Sequence, residues 1–250
     1  MISFQFIASG SKGNATLLYD GETLIQIDMG IPLKRLKEGL SNLHKDVKDI
    51  QGVFLTHEHA DHISKLPLLQ KRGVKVYASL GVCPETDVFL TPGEEIKVGS
   101  IAVLPFSSSH DARNPLNYVF ALKSRRLAYI TDTGVILKKN LSLLKGCDYY
   151  VFESNHDKTM LLSSSRPIQL KKRILGKKGH LSNEQAGEYL SSLIGPKTKK
   201  IYLAHLSEEC NTPEIALETI HRVFQKNGIS FPIEDVVPLK QHCLIEGGEE

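Results

Sequence analysis

The chain has 250 residues, 41% hydrophobic and 24% charged, proportions of an ordinary soluble globular protein long enough to bury a core without staples. No apolar run reaches the ~18 to 20 residues of a membrane span, and the N-terminus lacks the basic segment and cleavage site of a secretory signal, so the expected location is the cytoplasm. Cys83, Cys147, Cys210 and Cys243 are scattered without a CxxC pair, which fits reduced thiols, and a net charge of +3 is too small to argue for nucleic acid by itself.

Taken in order, residues 2–7 alternate as a strand, residues 9–14 supply turn types, and residues 15–19 form the returning strand of a hairpin. The connecting loop is either a turn alone or, through amides exposed by Gly10 and Gly13 and through Lys12, a face for an anion. A strand over 23–27 leads to Asp28, read as an acceptor bracing a metal loop or as a helix N-cap. Helical spacing follows from Ile31 to Leu43. Residues 50–55 form a short strand running into Thr56-His57-Glu58-His59-Ala60-Asp61-His62. A helix is expected over 63–72, a strand over 74–78, irregular chain over 84–92, and a hairpin over 95–105 turning at Gly99-Ser100 that delivers His110.

Strands over 118–123 and 127–130, turning around Arg125-Arg126, end near Asp132. A helix is expected over 135–144, and a strand over 148–152 ends on Glu153. Residues 166–178 hold Arg166, Lys171, Lys172, Arg173, Lys177 and Lys178 and no acidic residue. Gly179-His180-Leu181-Ser182 then precedes a helix from about 183 to 194, with Ser182 and Gln185 at capping-box spacing. A strand over 200–204 ends on His205, a helix covers 213–225, and the acidic tail 246–250 is expected to fray. No low-complexity linker divides the chain, so a single domain over residues 1–250 is expected.

The histidine motif places three imidazoles and a carboxylate within six positions, all ligand types for zinc-like metals. His57 and His59, two apart at the end of an extended strand, project to one side and can chelate one ion. Asp61 and His62 are adjacent and diverge, so they would share an ion only across a sharp turn, which points to a second ion. The helical HExxH pattern is excluded because Asp61 stands where its second histidine would be. Two divalent ions fit the whole series: His57, His59 and His110 on the first, Asp61, His62 and His205 on the second, and Asp132 bridging at the about 3.5 to 4 Å separation of binuclear hydrolytic sites. A water between two cations loses a proton near neutral pH and becomes a hydroxide nucleophile. A closed structural zinc site fits poorly, since none of the cysteines lies in these motifs. Such ligands accept zinc, the first expectation, and also manganese or iron.

The motif THEHADH, the lone His110, the TDTG aspartate and the LAHLS histidine resemble the ligand series of the metallo-β-lactamase superfamily, which implies an α/β fold, an αββα sandwich of two mixed β-sheets flanked by helices. Ala8-Ser9-Gly10-Ser11-Lys12-Gly13-Asn14, Ser109-His110-Asp111-Ala112, Glu153-Ser154-Asn155-His156-Asp157, Gly179-His180-Leu181-Ser182-Asn183 and His205-Leu206-Ser207-Glu208 together resemble the bacterial YycJ/WalJ family from about residue 3 to 220. That resemblance implies a 5′ to 3′ exonuclease on double-stranded DNA. The GHxS and final histidine motifs are also similar to those of tRNA 3′-processing endonucleases. No long insertion follows TDTG, so the lid domain of the β-CASP nucleases is lacking.

Metal ligands alone do not choose the substrate, because one hydroxide attacks carbon or phosphorus. His180, just before a predicted helix start where an anion is favoured, is placed to donate a proton to a leaving oxygen, with Glu153 orienting it and Asp61 sharing the catalytic role. Its other reading is an imidazole that caps or packs. Asn155, His156, Lys171, Arg173 and Lys178 are the expected substrate-binding set; His156 serves equally to orient a neighbouring ligand, and the basic run serves equally as a solvated helix face. The leading expectation is a two-metal phosphodiesterase contacting DNA, or RNA, through phosphates. A thioester or lactone hydrolase on the same metals and a metal-bound binding protein without turnover are the other readings.

Overall fold

The structure is a computed structural model and describes residues 2–242 and 244–249; Cys243 and the last residue of the tail lie outside the described residues. The strands belong to two mixed seven-stranded sheets with helices flanking them, the expected class. Contacts group the chain into two compact units, one holding residues through Ser107 with 112–124 and the C-terminal segment, the other residues 108–111 with 125–240.

In the first unit, β1 (Ile2–Ala8) and β2 (Ala15–Tyr19) form the expected antiparallel hairpin and β3 (Leu24–Ile27) continues it. Parallel pairing needs a crossover, which α1 (Leu33–Asn42) supplies before β4 (Ile50–Phe54) joins β3. Leu36 and Leu40, one turn apart, are fully buried in a core with Ile7, Leu17 and Val53, each such burial contributing about 1.5 to 3 kcal/mol. The helix expected over 63–72 is instead two single turns, α2 (Ala60–Ile63) and α3 (Pro67–Gln70). Pro67 has no amide to bond the carbonyl one turn back, so the helix restarts there. As a result α2 begins inside the histidine motif. The parallel strands end with β5 (Val76–Ala78) and the two-residue β6 (Val88–Phe89), the latter within chain expected to be irregular. β7 (Ile96–Val98), β8 (Ile101–Ser107) and β9 (Leu116–Leu122) follow as antiparallel neighbours, with Gly99 at φ 54 in the turn.

The second unit is parallel throughout: β10 (Arg125–Ile130), β11 (Tyr149–Glu153), β12 (Lys200–Ala204) and β13 (Val236–Pro238). The turn before β10 falls on Lys123-Ser124, because Arg126 is already strand, its amide bonded to Asp148 Oδ2 at 2.9 Å. The helix expected over 135–144 shrinks to a 3₁₀ turn and α4 (Leu141–Leu144). Thr133 Oγ1 donates to the Val135 carbonyl, taking an acceptor that a helix would use. Between β11 and β12 run α5 (Lys158–Ser163), α6 (Ile168–Leu175) and α7 (Asn183–Leu193). α7 starts on the predicted capping box of Ser182 and Gln185. α8 (Pro213–Lys226), capped by Thr212, leads to β13.

As far as Glu249 the tail does not fray: β14 (Ile245–Glu249) pairs antiparallel with β1, since an edge strand offers a row of backbone groups that even an acidic segment can satisfy. Cys83, Cys147 and Cys210 are buried free thiols. Among the described residues no helix is long and apolar enough to cross a membrane.

Candidate metal centre

In the first unit Asp28 directly follows β3 and takes φ 55, a left-handed conformation that aspartate tolerates better than most residues. Its buried carboxylate accepts from Thr56 N at 2.8 Å, Thr56 Oγ1 at 2.8 Å and His62 Nδ1 at 2.7 Å. Asp28 thus braces the histidine loop; the cap of α1 is Pro32. Having donated to Asp28, Thr56 Oγ1 has lone pairs to accept from His57 Nδ1 at 3.0 Å. Protons held on Nδ1 leave Nε2 with the lone pair in both rings, the form in which histidine ligates a metal. The His57 ring centroid lies 4.5 Å from that of His59 and 4.1 Å from that of His62. The α2 turn also brings Asp61 Oδ2 to 3.5 Å from His62 Nε2, so the adjacent pair is drawn together rather than splayed.

Asn14 ties this loop to the β1–β2 turn. Its amide N donates to Asp61 O at 2.8 Å, and its side-chain Nδ2 lies 3.0 Å from His62 Nε2. Gly30 lies so close that a Cβ there would stand 1.7 Å from Asp61 O, a separation no side chain survives. The turn, read either as a turn alone or as a face for an anion, buttresses the histidines.

In the second unit Asp132, at φ 50, and His205, at φ 57 directly after β12, again leave the strand in the left-handed region. Asp132 Oδ1 lies 3.5 Å from His205 Nε2, 3.7 Å from His180 Nδ1 and 3.9 Å from His110 Nε2. Donor atoms of Asp132, Glu153, His180 and His205 all fall within 4.8 Å of one another. His110 Nδ1 donates to Gly179 O at 3.1 Å, which turns its Nε2 lone pair toward Asp132. Burial lowers the His110 pKa and favours the neutral ring. The Nε2 lone pairs of His110 and His205 and the Asp132 carboxylate repel one another, and a divalent cation among them would convert that repulsion into ligation, so these three donors fit a metal.

Glu153, fully buried at the end of β11, accepts from His180 Nδ1 at 2.7 Å, Thr133 N at 2.9 Å and Leu181 N at 3.2 Å. Burial alone would raise its pKa, but the His180 charge and hydrogen bonds from His180 and His205 hold it well below the usual range. His180 N donates to Ile174 O at 2.9 Å, and Gly179 sits where a Cβ would stand 2.2 Å from the Arg173 and Ile174 carbonyls. Ser109 Oγ to Lys177 O at 2.8 Å and Gly134 N to Ser109 O at 3.0 Å tie the loops of His110, Asp132 and His180 together.

Of the five expected substrate-binding residues, three are held by contacts within the chain, one is buried and one is exposed. Asn155 Nδ2 donates to His205 O at 2.8 Å and lies 3.2 Å from His205 Nδ1, so it holds that histidine in place. His156 is sealed inside, neither ring nitrogen hydrogen-bonded among the described residues, and burial pulls its pKa down to about 4. Lys171 Nζ is committed to the carbonyls of Leu162 at 2.7 Å and Ser164 at 2.6 Å, and Arg173 Nε pairs with Asp111. Lys178, with Lys172 and Lys177, stays exposed. Asn14 and Thr56 are the supporting residues that sequence reasoning passed over, although both stand inside the quoted motifs.

Residues 27–206 match the model of the beta-lactamase superfamily domain. The chain is 35% identical to the exodeoxyribonuclease YycJ of Bacillus anthracis, over 95% of this chain and 96% of that protein. It is 32% identical to the exodeoxyribonuclease WalJ of Streptococcus pneumoniae, over 94% of each. Among solved structures, the metallo-beta-lactamase fold protein YhfI of Bacillus subtilis superimposes with a TM-score of 0.74 at 15% identity, covering 98% of this chain and 99% of that one, a likeness of fold.

Proposed function

The chain belongs to the beta-lactamase superfamily and, within it, to the family of the exodeoxyribonucleases YycJ and WalJ, and from that membership we propose that it is a binuclear metal-dependent phosphodiesterase degrading DNA in the cytoplasm. The finer reading is a 5′ to 3′ exonuclease on double-stranded DNA. Ligands are proposed along the motif series His57, His59, Asp61, His62, His110, Asp132 and His205, with zinc first and manganese or iron as alternatives. Bound there, divalent ions would supply an activated water and neutralise charge developing at phosphorus.

The observation that carries the reading is the pair of His180 and Glu153. The buried carboxylate accepts from His180 Nδ1 at 2.7 Å and orients the ring, which turns Nε2 toward a leaving oxygen. The His180 side chain is 19% exposed, enough to meet a substrate, whereas Glu153 has no access to solvent. Glu153 is thus the positioning residue and His180 the proton donor.

The test is metal-loaded protein on end-labelled single- and double-stranded DNA and RNA. Cleavage of DNA is expected, and His180→Ala should keep its metal while turning over about 10²- to 10⁴-fold more slowly. Turnover of thioesters or lactones with none of DNA would overturn the proposal.

A further inference from the structure

Two loops of the first unit meet at Glu58, the residue between the leading histidines of the motif. Arg113 N donates to Glu58 Oε1 at 2.9 Å and Oε2 at 3.0 Å. The next residue, Asn114, donates through Nδ2 to Leu80 O at 2.9 Å, and its carbonyl accepts from Ser79 Oγ at 2.5 Å. The Arg113 stem passes over Gly81, where a Cβ would stand 3.9 Å from Arg113 Cδ. Glu58 therefore serves as an anchor for the rim of the histidine loop.

What these loops hold up is one cation and one apolar side chain, both turned to solvent. Leu80 is 68% exposed. Arg113 is exposed, and among the described residues its guanidinium makes no hydrogen bond or ion pair. Every other arginine is engaged: Arg35, Arg72 and Arg126 with carbonyls, Arg125, Arg166, Arg173 and Arg222 with carboxylates. Because Arg113 is anchored through its own backbone amide, its planar donor fork is not consumed in holding the loop, which leaves it for a phosphate. A solvent-facing leucine beside such a fork suits the face of a base, as apolar wedges do elsewhere.

We propose that Arg113 binds a backbone phosphate of DNA approaching the histidine loop and that Leu80 packs on the exposed face of the terminal base pair, so that this rim reads a duplex end. The inference rests on the DNA exonuclease reading. All variants below keep the backbone bond from residue 113 to Glu58, so the anchor survives them. On linear duplex, Arg113→Ala should raise KM about tenfold or more, leave kcat nearly as it was, and lower the slope of log affinity against log salt by about one. Arg113→Lys should recover part of the KM and the full slope. Leu80→Ser should reduce the preference for free duplex ends over hairpin-capped ends. Lys37→Ala on α1, which removes the same charge elsewhere, should match the wild type. If the wild type cleaves DNA and Arg113→Ala shows unchanged KM and salt slope, this inference falls alone; an unchanged end preference in Leu80→Ser removes its leucine half. If the wild type neither binds nor cleaves DNA, the nuclease reading falls and takes this one with it.

Discussion

Replacing Asp28 by asparagine isolates the role of one buried carboxylate in setting histidine chemistry. Asparagine tolerates the left-handed backbone at φ 55, so the main chain is spared. Its carbonyl can still accept from Thr56 N, the 2.8 Å bond to Oδ1. Its amide, however, replaces Oδ2, which accepts both Thr56 Oγ1 at 2.8 Å and His62 Nδ1 at 2.7 Å. The hydroxyl can rotate and accept. The imidazole must move its proton to Nε2, the nitrogen proposed to face a metal. Losing a hydrogen bond to a charged group costs about 1.5 to 3 kcal/mol, which for a chain of this size lowers Tm by roughly 3 to 6 °C. Loss of such a supporting carboxylate weakens metal binding about 10- to 100-fold. Competition titration against a chromophoric chelator measures the second effect and thermal unfolding of metal-free protein the first. Asp28→Asn with metal affinity within about twofold of wild type would refute the tautomer argument, since a 10-fold loss is its lower bound.

Other substitutions probe the supports separately. Ser182→Ala removes the cap that accepts from Gln185 N at 3.3 Å, and urea unfolding should show a loss of about 1 kcal/mol. Gly30→Ala drives a methyl into Asp61 O, and metal binding should be lost together with near-UV dichroism, a result that an intact spectrum would contradict. His156 is held near pKa 4 by burial against 6.5 in the open chain, so the unfolded chain takes up the extra proton. Its contribution is complete above pH 6.5 and falls by up to about 3 kcal/mol as pH drops toward 4. Denaturant titrations across that window should show a shallower slope for His156→Gln; equal slopes would mean His156 does not titrate on unfolding.

The features legible in the sequence were those set within a few residues. The apolar runs of β1 to β4 and the Ser182 to Gln185 box announce themselves locally. So does the habit of ending a strand on a metal-ligand type, because strand, turn and ligand are consecutive. Periodicity misled where a distant or non-apolar event decides. Pro67 splits a helix whose apolar spacing looks continuous, and Thr133 takes the Val135 carbonyl before a helix can. β14 depends on a partner more than two hundred residues away. The charge of Lys171 and Arg173 is visible in sequence, whereas the Leu162 and Ser164 carbonyls and Asp111 that they contact are not.

Three strand ends share a device that accounts for how the candidate ligands and their brace are aimed. Along a strand, side chains alternate between the two faces of the sheet, so a residue that must project beyond the strand end has to leave the pleat. Asp28, Asp132 and His205 do so with φ of 55, 50 and 57, conformations that cost of order 1 to 3 kcal/mol for a residue other than glycine. In each case a side chain elsewhere captures the carbonyl of the strained residue: Gln26 Nε2 bonds Asp28 O at 2.7 Å, Ser108 Oγ bonds Asp132 O at 2.8 Å, and Asn155 Nδ2 bonds His205 O at 2.8 Å. One such bond contributes about 0.5 to 1.5 kcal/mol, comparable to the strain it offsets. Removing the donor therefore releases the backbone before it disturbs the ligand atom. This makes Gln26, Ser108 and Asn155 the residues through which the fold sets the direction of the brace Asp28 and of the candidate ligands Asp132 and His205.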